Sequence, residues 1–481
     1  MGASASALRY GTLPHWLKGG AVEKALRART PPQLEGGKPQ TLFLQTPLDH
    51  FASSPSKKWP LRYFIDSSCL KGDGPIFVNM GGEGGGGPSS CSSKDKEYGA
   101  LHVSVEHRFF GESTPFHDMS TANLKYLTVE QNLADTAAVV QAMQAKFPRA
   151  GGKKRTVASF GGSYSGATAA WFRVVYPNVT DLSISESGVV NAILAMTSFD
   201  DAIRVALGNS STGPSPECPQ RLAAVTAALE RAFAAGKASK DTVKKLYNAT
   251  NLIGTTLGDS DFWYAVADGA AMSDQYGGKA TLCKLLAKPY APDAAPTDAA
   301  LIANFAQLLE HHYGPAFVSG CFYDTNCISN TTYDPAETHG LNARSWRWVK
   351  CNELAFLQNA PATNSMRSKH LTIDVLEKQC DMAFPDQTWA RRVDSFNAYF
   401  GGAKPGTGTA NGGKRPSKIF FADYSDDPWA RASVDAPAPD LPYCMETCNG
   451  CGHCGSGAPF NNTCDRQEAS YLKKWLAEVK K

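Results

Sequence analysis

A chain of 481 residues exceeds one hydrophobic core of ordinary size, so a large domain with an insertion, or two domains, is expected. Its 48 lysines and arginines against 45 aspartates and glutamates leave a formal net charge of +3 with no basic block, which gives nucleic-acid or acidic-membrane binding no support. With 42% hydrophobic and 10% aromatic residues the make-up is that of an ordinary globular protein, and no apolar run nears the ~20 residues of a membrane span.

Residues 1–40 are rich in Ala, Gly and Pro and read as a tail or pro-segment. Their start, MGASASALRY, lacks the apolar core of a signal peptide. Gly2 and Ser6 fit a myristoylation pattern, but thirteen cysteines and five N-x-S/T sequons, at Asn178, Asn209, Asn248, Asn330 and Asn461, argue for an oxidising, glycosylating route. The preferred reading is a start that lacks a leader or falls inside a longer pro-segment. An odd cysteine number leaves at least one thiol without a partner in the chain.

Residues 41–45 and 61–66 alternate as a hairpin pair would, 75–80 (PIFVNM) form an apolar strand entering a glycine run, and 102–106 form another strand. Residues 127–147 predict a long helix opened by a capping box, Thr128 with Gln131. A strand at 156–160 then meets two glycines, Ser163 and an alanine-rich helix ending at Pro177, before a strand at 181–185. Strands alternating with helices predict a mostly parallel sheet covered on both faces. From 191 to 370 the chain is Ala- and Leu-rich with helical spacing, and six cysteines from Cys218 to Cys380 suggest a stapled helical cap over the sheet's carboxyl edge. A strand at 418–422 and an amphipathic helix at 466–479 return to the sheet domain, whose two parts are 41–190 and 371–481.

A serine between a strand and a helix suggests the nucleophile elbow of α/β-hydrolases, whose sharp turn lifts the hydroxyl above the sheet. The strict pattern is G-x-S-x-G; here Ser165 holds the last position and glycine follows at Gly166. Such a serine needs a base, and the base an acid, in the chain order Ser, Asp or Glu, His. Asp423, Asp426 and Asp427 follow the 418–422 strand, and His453, the last histidine, stands in a glycine-bracketed loop before the final helix. An oxyanion hole would draw one N–H from Tyr164 and one from the Gly81-Gly82-Glu83-Gly84 loop, with Gly82 and Glu83 the candidates. That loop lacks the lysine of a phosphate-binding loop.

The segments FLQTPLDHF, FVNMGGEG, EHRFFGES, LTVEQNLAD, GGSYSGATAAW, CNELAFLQ, YFGG and DPW run in one order from Phe43 to the C-terminal region. In this set the chain resembles the serine carboxypeptidase family that contains lysosomal Pro-X carboxypeptidase, dipeptidyl peptidase II and the thymus-specific serine protease. The resemblance implies an α/β-hydrolase fold (α/β class, mostly parallel sheet) with an inserted, disulfide-stapled helical cap. It also implies cleavage next to proline near a peptide terminus, usually at acidic pH, in a lysosomal, vacuolar or secreted setting. Residue by residue it implies Ser163, Asp427 and His453 as the triad, choosing Asp427 over Asp423 and Asp426, and a Cys351–Cys380 disulfide. No cofactor is called for; the partner is a peptide with proline near one end, and self-association as a homodimer is left open.

Trp429, beside the proposed acid, is a candidate pocket wall, or plain core. Glu353 and Gln358 are candidates for a substrate terminus, or lie on a solvated helix face. The family usually has Asn-Gly before the DPW turn, where this chain has Asp423-Tyr424. Cys444, Cys448, Cys451, Cys454 and Cys464 crowd His453, an array many relatives lack; disulfides are preferred over a zinc or iron–sulfur site that would take the histidine as ligand. Work at acidic pH would require the His453 pKa to be kept low. The alternatives are an esterase on the same scaffold, or a silent metal or interaction module.

Overall fold

The computed structural model describes residues 39–209, 217–287, 296–332, 338–385, 387, 392–435, 438 and 440–479. The proposed tail lies almost wholly outside them. Eight strands build the centre: β1 (Gln40–Pro47), β2 (Lys58–Asp66), β3 (Ile76–Asn79), β4 (Leu101–Val105), β5 (Val157–Gly162), β6 (Leu182–Glu186), β9 (Ile419–Tyr424) and β10 (Tyr443–Glu446). A short parallel pair, β7 (Ile193–Ala195) and β8 (Ala355–Leu357), stands apart. The sheet order is β1-β2-β4-β3-β5-β6-β9-β10. β1 and β2 form the expected antiparallel hairpin, β2 pairs antiparallel with β4, and every other pair is parallel.

Burial of both faces explains the continuous apolar strands. Ile76, Val78, Ile419 and Phe421 point into one core, whereas Phe77, Phe160, Ile184 and Phe420 point into the other. The second core lies under α6 (Thr463–Val479), which contributes Leu472, Trp475 and Leu476. Each such side chain contributes ~1.5–3 kcal/mol on burial, so a one-residue slip in strand register is heavily disfavoured.

The helix α1 (Val129–Lys146) starts at Thr128, whose Oγ1 accepts the Gln131 N–H at 3.2 Å. The other half of the expected capping box does not form. Gln131 instead donates to Asp49 Oδ1 at 2.7 Å and accepts the His50 N–H at 3.0 Å, tying the β1–β2 connection to the helix.

Between β6 and β9 the chain is largely helical, including α3 (Ser198–Gly208), α4 (Gly258–Gln275) and α5 (Lys279–Leu286). Disulfides Cys218–Cys283, Cys321–Cys327 and Cys351–Cys380 staple this insertion. Cys69–Cys91, Cys444–Cys464 and Cys448–Cys451 complete six bonds, and Cys454 is buried outside them. Asn178, Asn248, Asn330 and Asn461 are exposed and Asn209 is half-buried. No helix among the described residues is long and apolar enough to cross a membrane.

Candidate active site

β5 ends at Gly162 and α2 (Tyr164–Val175) begins two residues later, leaving Ser163 alone on the turn with φ 60° and ψ −131°. A non-glycine residue in that region costs about 1–3 kcal/mol and persists only where its surroundings over-determine it. Here the Ser163 N–H donates to Glu186 O at 2.9 Å, and Ser165 Oγ bridges Gly162, donating to its O at 2.7 Å and accepting its N–H at 3.1 Å. A Cβ on Gly161 would lie 2.0 Å from Ser165 O, and one on Gly166 2.8 Å from Glu186 O. The departure from G-x-S-x-G is thereby explained: glycine is needed at 161 and 166 for close approach, while the serine at 165 clamps the turn.

Tyr164 opens α2, where first-turn N–H groups lack intrahelical acceptors. Its hydroxyl meets His107 Nε2 at 3.1 Å, and His107 Nδ1 meets Arg108 O at 2.8 Å. Burial pushes His107 down to about 4, so the ring is neutral and accepts from the tyrosine. His107 lies in the EHRFFGES segment, where no sequence signal assigned it this role. On the other side β3 runs into Gly82, which is buried, and Glu83, whose carboxyl is raised by burial against the opposing field of His453.

Asp427 follows β9 and caps a single turn, its Oδ1 accepting the Trp429 N–H at 2.8 Å. Its Oδ2 lies 2.8 Å from His453 Nδ1, with both side chains almost fully buried. The other two aspartates go elsewhere: Asp426 pairs with Lys279, and Asp423 is buried and pushed up to about 7 by loss of solvent, opposed by Ser433. Of the three aspartates, Asp427 is the one in direct contact with His453, a distinction that spacing alone left open.

Among the described residues His453 Nε2 is buried and has no hydrogen-bond partner. The next residue, Cys454, donates its N–H to Ser187 Oγ at 2.9 Å, one residue from the carbonyl that holds Ser163. Burial opposes the imidazolium, but the Asp427 carboxylate, with Cys454 beside it, outweighs burial and holds His453 well above its ordinary value. This reverses the expectation of a lowered pKa, because the acid sits in direct contact with the ring. Pairing of Cys444, Cys448, Cys451 and Cys464 in disulfides removes four of the five thiolates that a metal reading needed. Among the described residues no group of three or more His, Cys, Asp or Glu could hold an ion.

Trp429 is half-buried, packs on Phe199 at 4.9 Å and Phe356 at 5.5 Å, and stands 6.3 Å from the His453 ring. Its Nε1 donates to Gln275 Oε1 at 3.0 Å. Glu353 and Gln358 are buried, not on a solvated face. Glu353 Oε2 accepts the Val129 N–H at 3.0 Å and burial pushes its carboxyl up to about 8; Gln358 Oε1 accepts the Tyr264 hydroxyl at 2.7 Å.

The family model "Serine carboxypeptidase S28" matches residues 46–461. Among curated relatives, "Probable serine protease EDA2" of Arabidopsis thaliana is 31% identical over 426 residues, covering 86% of this chain and 80% of that protein. The thymus-specific serine protease of Mus musculus is 25% identical, with 93% and 89% covered, and the lysosomal Pro-X carboxypeptidase of Mus musculus 24% identical, with 97% and 95% covered. An α/β-hydrolase sheet, a serine on its elbow turn and a match over most of the length agree: the chain belongs to the serine carboxypeptidase S28 family and is a serine peptidase.

Proposed function

We propose that the protein is an exopeptidase that cleaves beside proline near a peptide terminus, with Ser163 as nucleophile, His453 as base and Asp427 as the acid that orients it. The observation that carries this reading is the 2.8 Å contact of Asp427 with His453 Nδ1, which leaves Nε2 for the serine proton. In the first step Ser163 Oγ bonds to the scissile carbonyl carbon while its proton passes to Nε2. The C–N bond then breaks, the imidazolium protonates the leaving amine, and water resolves the acyl-enzyme by the same transfers. The N–H groups of Tyr164 and of Gly82 or Glu83 receive the developing oxyanion.

The helices of 191–370 act as a cap that admits a chain end, with 41–190 and 371–481 forming the hydrolase domain. Trp429 walls an apolar, rigid pocket suited to proline's fixed φ and missing N–H. Glu353 and Gln358, which accept from the Val129 N–H and the Tyr264 hydroxyl, stand as the candidates for contact with a substrate terminus. Of the lysosomal, vacuolar and secreted settings expected, the raised His453 pKa favours a secreted, near-neutral one; relatives are named as a probable extracellular serine carboxypeptidase and a lysosomal Pro-X carboxypeptidase.

The test is a set of peptides with proline at the second position from either end, compared with alanine counterparts and short acyl esters, with products read by mass spectrometry. Cleavage confined to the proline peptides supports the proposal. Ester turnover without peptide cleavage overturns it.

A further inference from the structure

The two loops that carry Asp427 and His453 meet at Asp426, which pairs with a cation of the helical insertion. Lys279, the first residue of α5, is buried, and its Nζ lies 2.5 Å from Asp426 Oδ2 and 3.4 Å from Ala206 O. The same Asp426 oxygen accepts the Gly450 N–H at 2.6 Å, and the Asp426 N–H donates to Cys451 O at 2.9 Å. Asp426 thus binds the insertion on one side and the histidine loop on the other, one residue before the proposed acid. The turn joining α4 to α5 lies flat on that loop. A Cβ on Gly452 would fall 2.4 Å from Gln275 O, one on Gly277 3.1 Å from Gly450 O, and Gln275 holds the Trp429 indole two residues past Asp427.

A lysine in this place is costly on general grounds. It is desolvated, and it sits at a helix N-terminus, where the macrodipole disfavours a cation. A well-packed apolar pair often stabilises as well as a buried ion pair, so stability alone is a poor reason to keep charges here. What the pair supplies is registry: the salt bridge ties the insertion to the aspartate whose hydrogen bonds to Gly450 and Cys451 set the acid turn against the histidine loop.

We propose that Lys279, through Asp426, is a positioning residue that sets the geometry of the Asp427–His453 pair, so that the insertion forms part of the catalytic scaffold as well as a lid. This rests on the triad reading given above. Among the described residues, the charged and titratable groups around the knot are Asp274, Tyr276, Lys279, Glu83, Glu186, Asp423, Asp426, Asp427, His453 and Cys454. Burial, together with Asp426, raises Asp274 well above the carboxylate range, and the carboxylate in contact with Lys279 is that of Asp426.

The test uses the full chain with Lys279→Met, Asp426→Asn and the double variant, read by kcat, KM, the pH profile and the rate of fluorophosphonate labelling. Removing the cation alone should move the acid limb of kcat/KM up by about one pH unit, and removing the anion alone should move it down by a similar amount. The double variant, which leaves no unpaired buried charge, should fold, return the limb to its wild-type place, label to full stoichiometry, and still lose about tenfold in kcat and labelling rate with KM little changed. Wild-type kcat in the folded double variant, or single variants whose limbs do not move in opposite directions, would overturn the proposal. Failure of the triad reading is distinguishable, since it shows as labelling that survives Ser163→Ala.

Discussion

Ser187 and Cys454 join the two halves of the site. The Cys454 N–H donates to Ser187 Oγ at 2.9 Å, and the carbonyl just before Ser187, that of Glu186, accepts the Ser163 N–H at 2.9 Å. One dipeptide at the end of β6 therefore holds both the residue after the proposed base and the proposed nucleophile. Ser187 is buried and carries φ 47°, a second strained position beside the elbow. Replacing Ser187 with Ala removes the acceptor and leaves a buried N–H unpaired, at a cost of about 1–3 kcal/mol. The expected result is a variant that folds with a modestly lower Tm and loses ~10–100-fold in kcat with little change in KM. Equal kcat with only a lower Tm would reduce Ser187 to a structural role.

Asp427→Asn tests the acid. Loss of the carboxylate removes the correct tautomer of His453 and should lower kcat by about 10⁴, the size of the effect known for the equivalent change in another serine protease. The same change should move the acid limb of kcat/KM to lower pH, because the chief charge that raises His453 is gone.

The proposed mechanism needs neutral His453, whose pKa is raised above the ordinary 6.5, so kcat/KM should fall as pH drops through a value above 6.5. A profile flat from pH 7.5 down to 5 would contradict the Asp427–His453 coupling described here.

Stability runs the other way. Glu353 has a folded-state pKa near 8, raised by burial above its unfolded value. Its stabilising contribution is complete below the unfolded pKa and is lost as pH rises through about 8. Asp423, at about 7, behaves likewise. Thermal unfolding should therefore show a Tm that declines from pH 5 to pH 8.5, and Glu353→Gln, which keeps an acceptor for the Val129 N–H, should flatten the decline. A Tm rising steadily with pH would refute it.

The sheet was readable in the sequence because its strands, such as 75–80 and 418–422, are apolar runs that only a doubly covered sheet accommodates. The elbow was readable because Gly161, Ser163 and Gly166 answer to a local steric demand. Other parts carried no local signal. α4 starts at a glycine, contains Gly269 packed against Leu309, and is buried on almost every side, so it shows no amphipathic period. β7 and β8 are three residues each, and β10 is a four-residue edge strand. The ties Cys454 to Ser187 and Lys279 to Asp426 join residues 267 and 147 positions apart, and nothing local at either end announces them.

The central claim is that Ser163 is the hydroxyl activated by the Asp427–His453 pair. Mass spectrometry of the protein after reaction with a fluorophosphonate tests it most directly. One adduct, on the peptide carrying Ser163, abolished in Ser163→Ala and formed far more slowly in His453→Ala, is the predicted result. An adduct on a different residue, or labelling of Ser163 at an undiminished rate without His453, would contradict it.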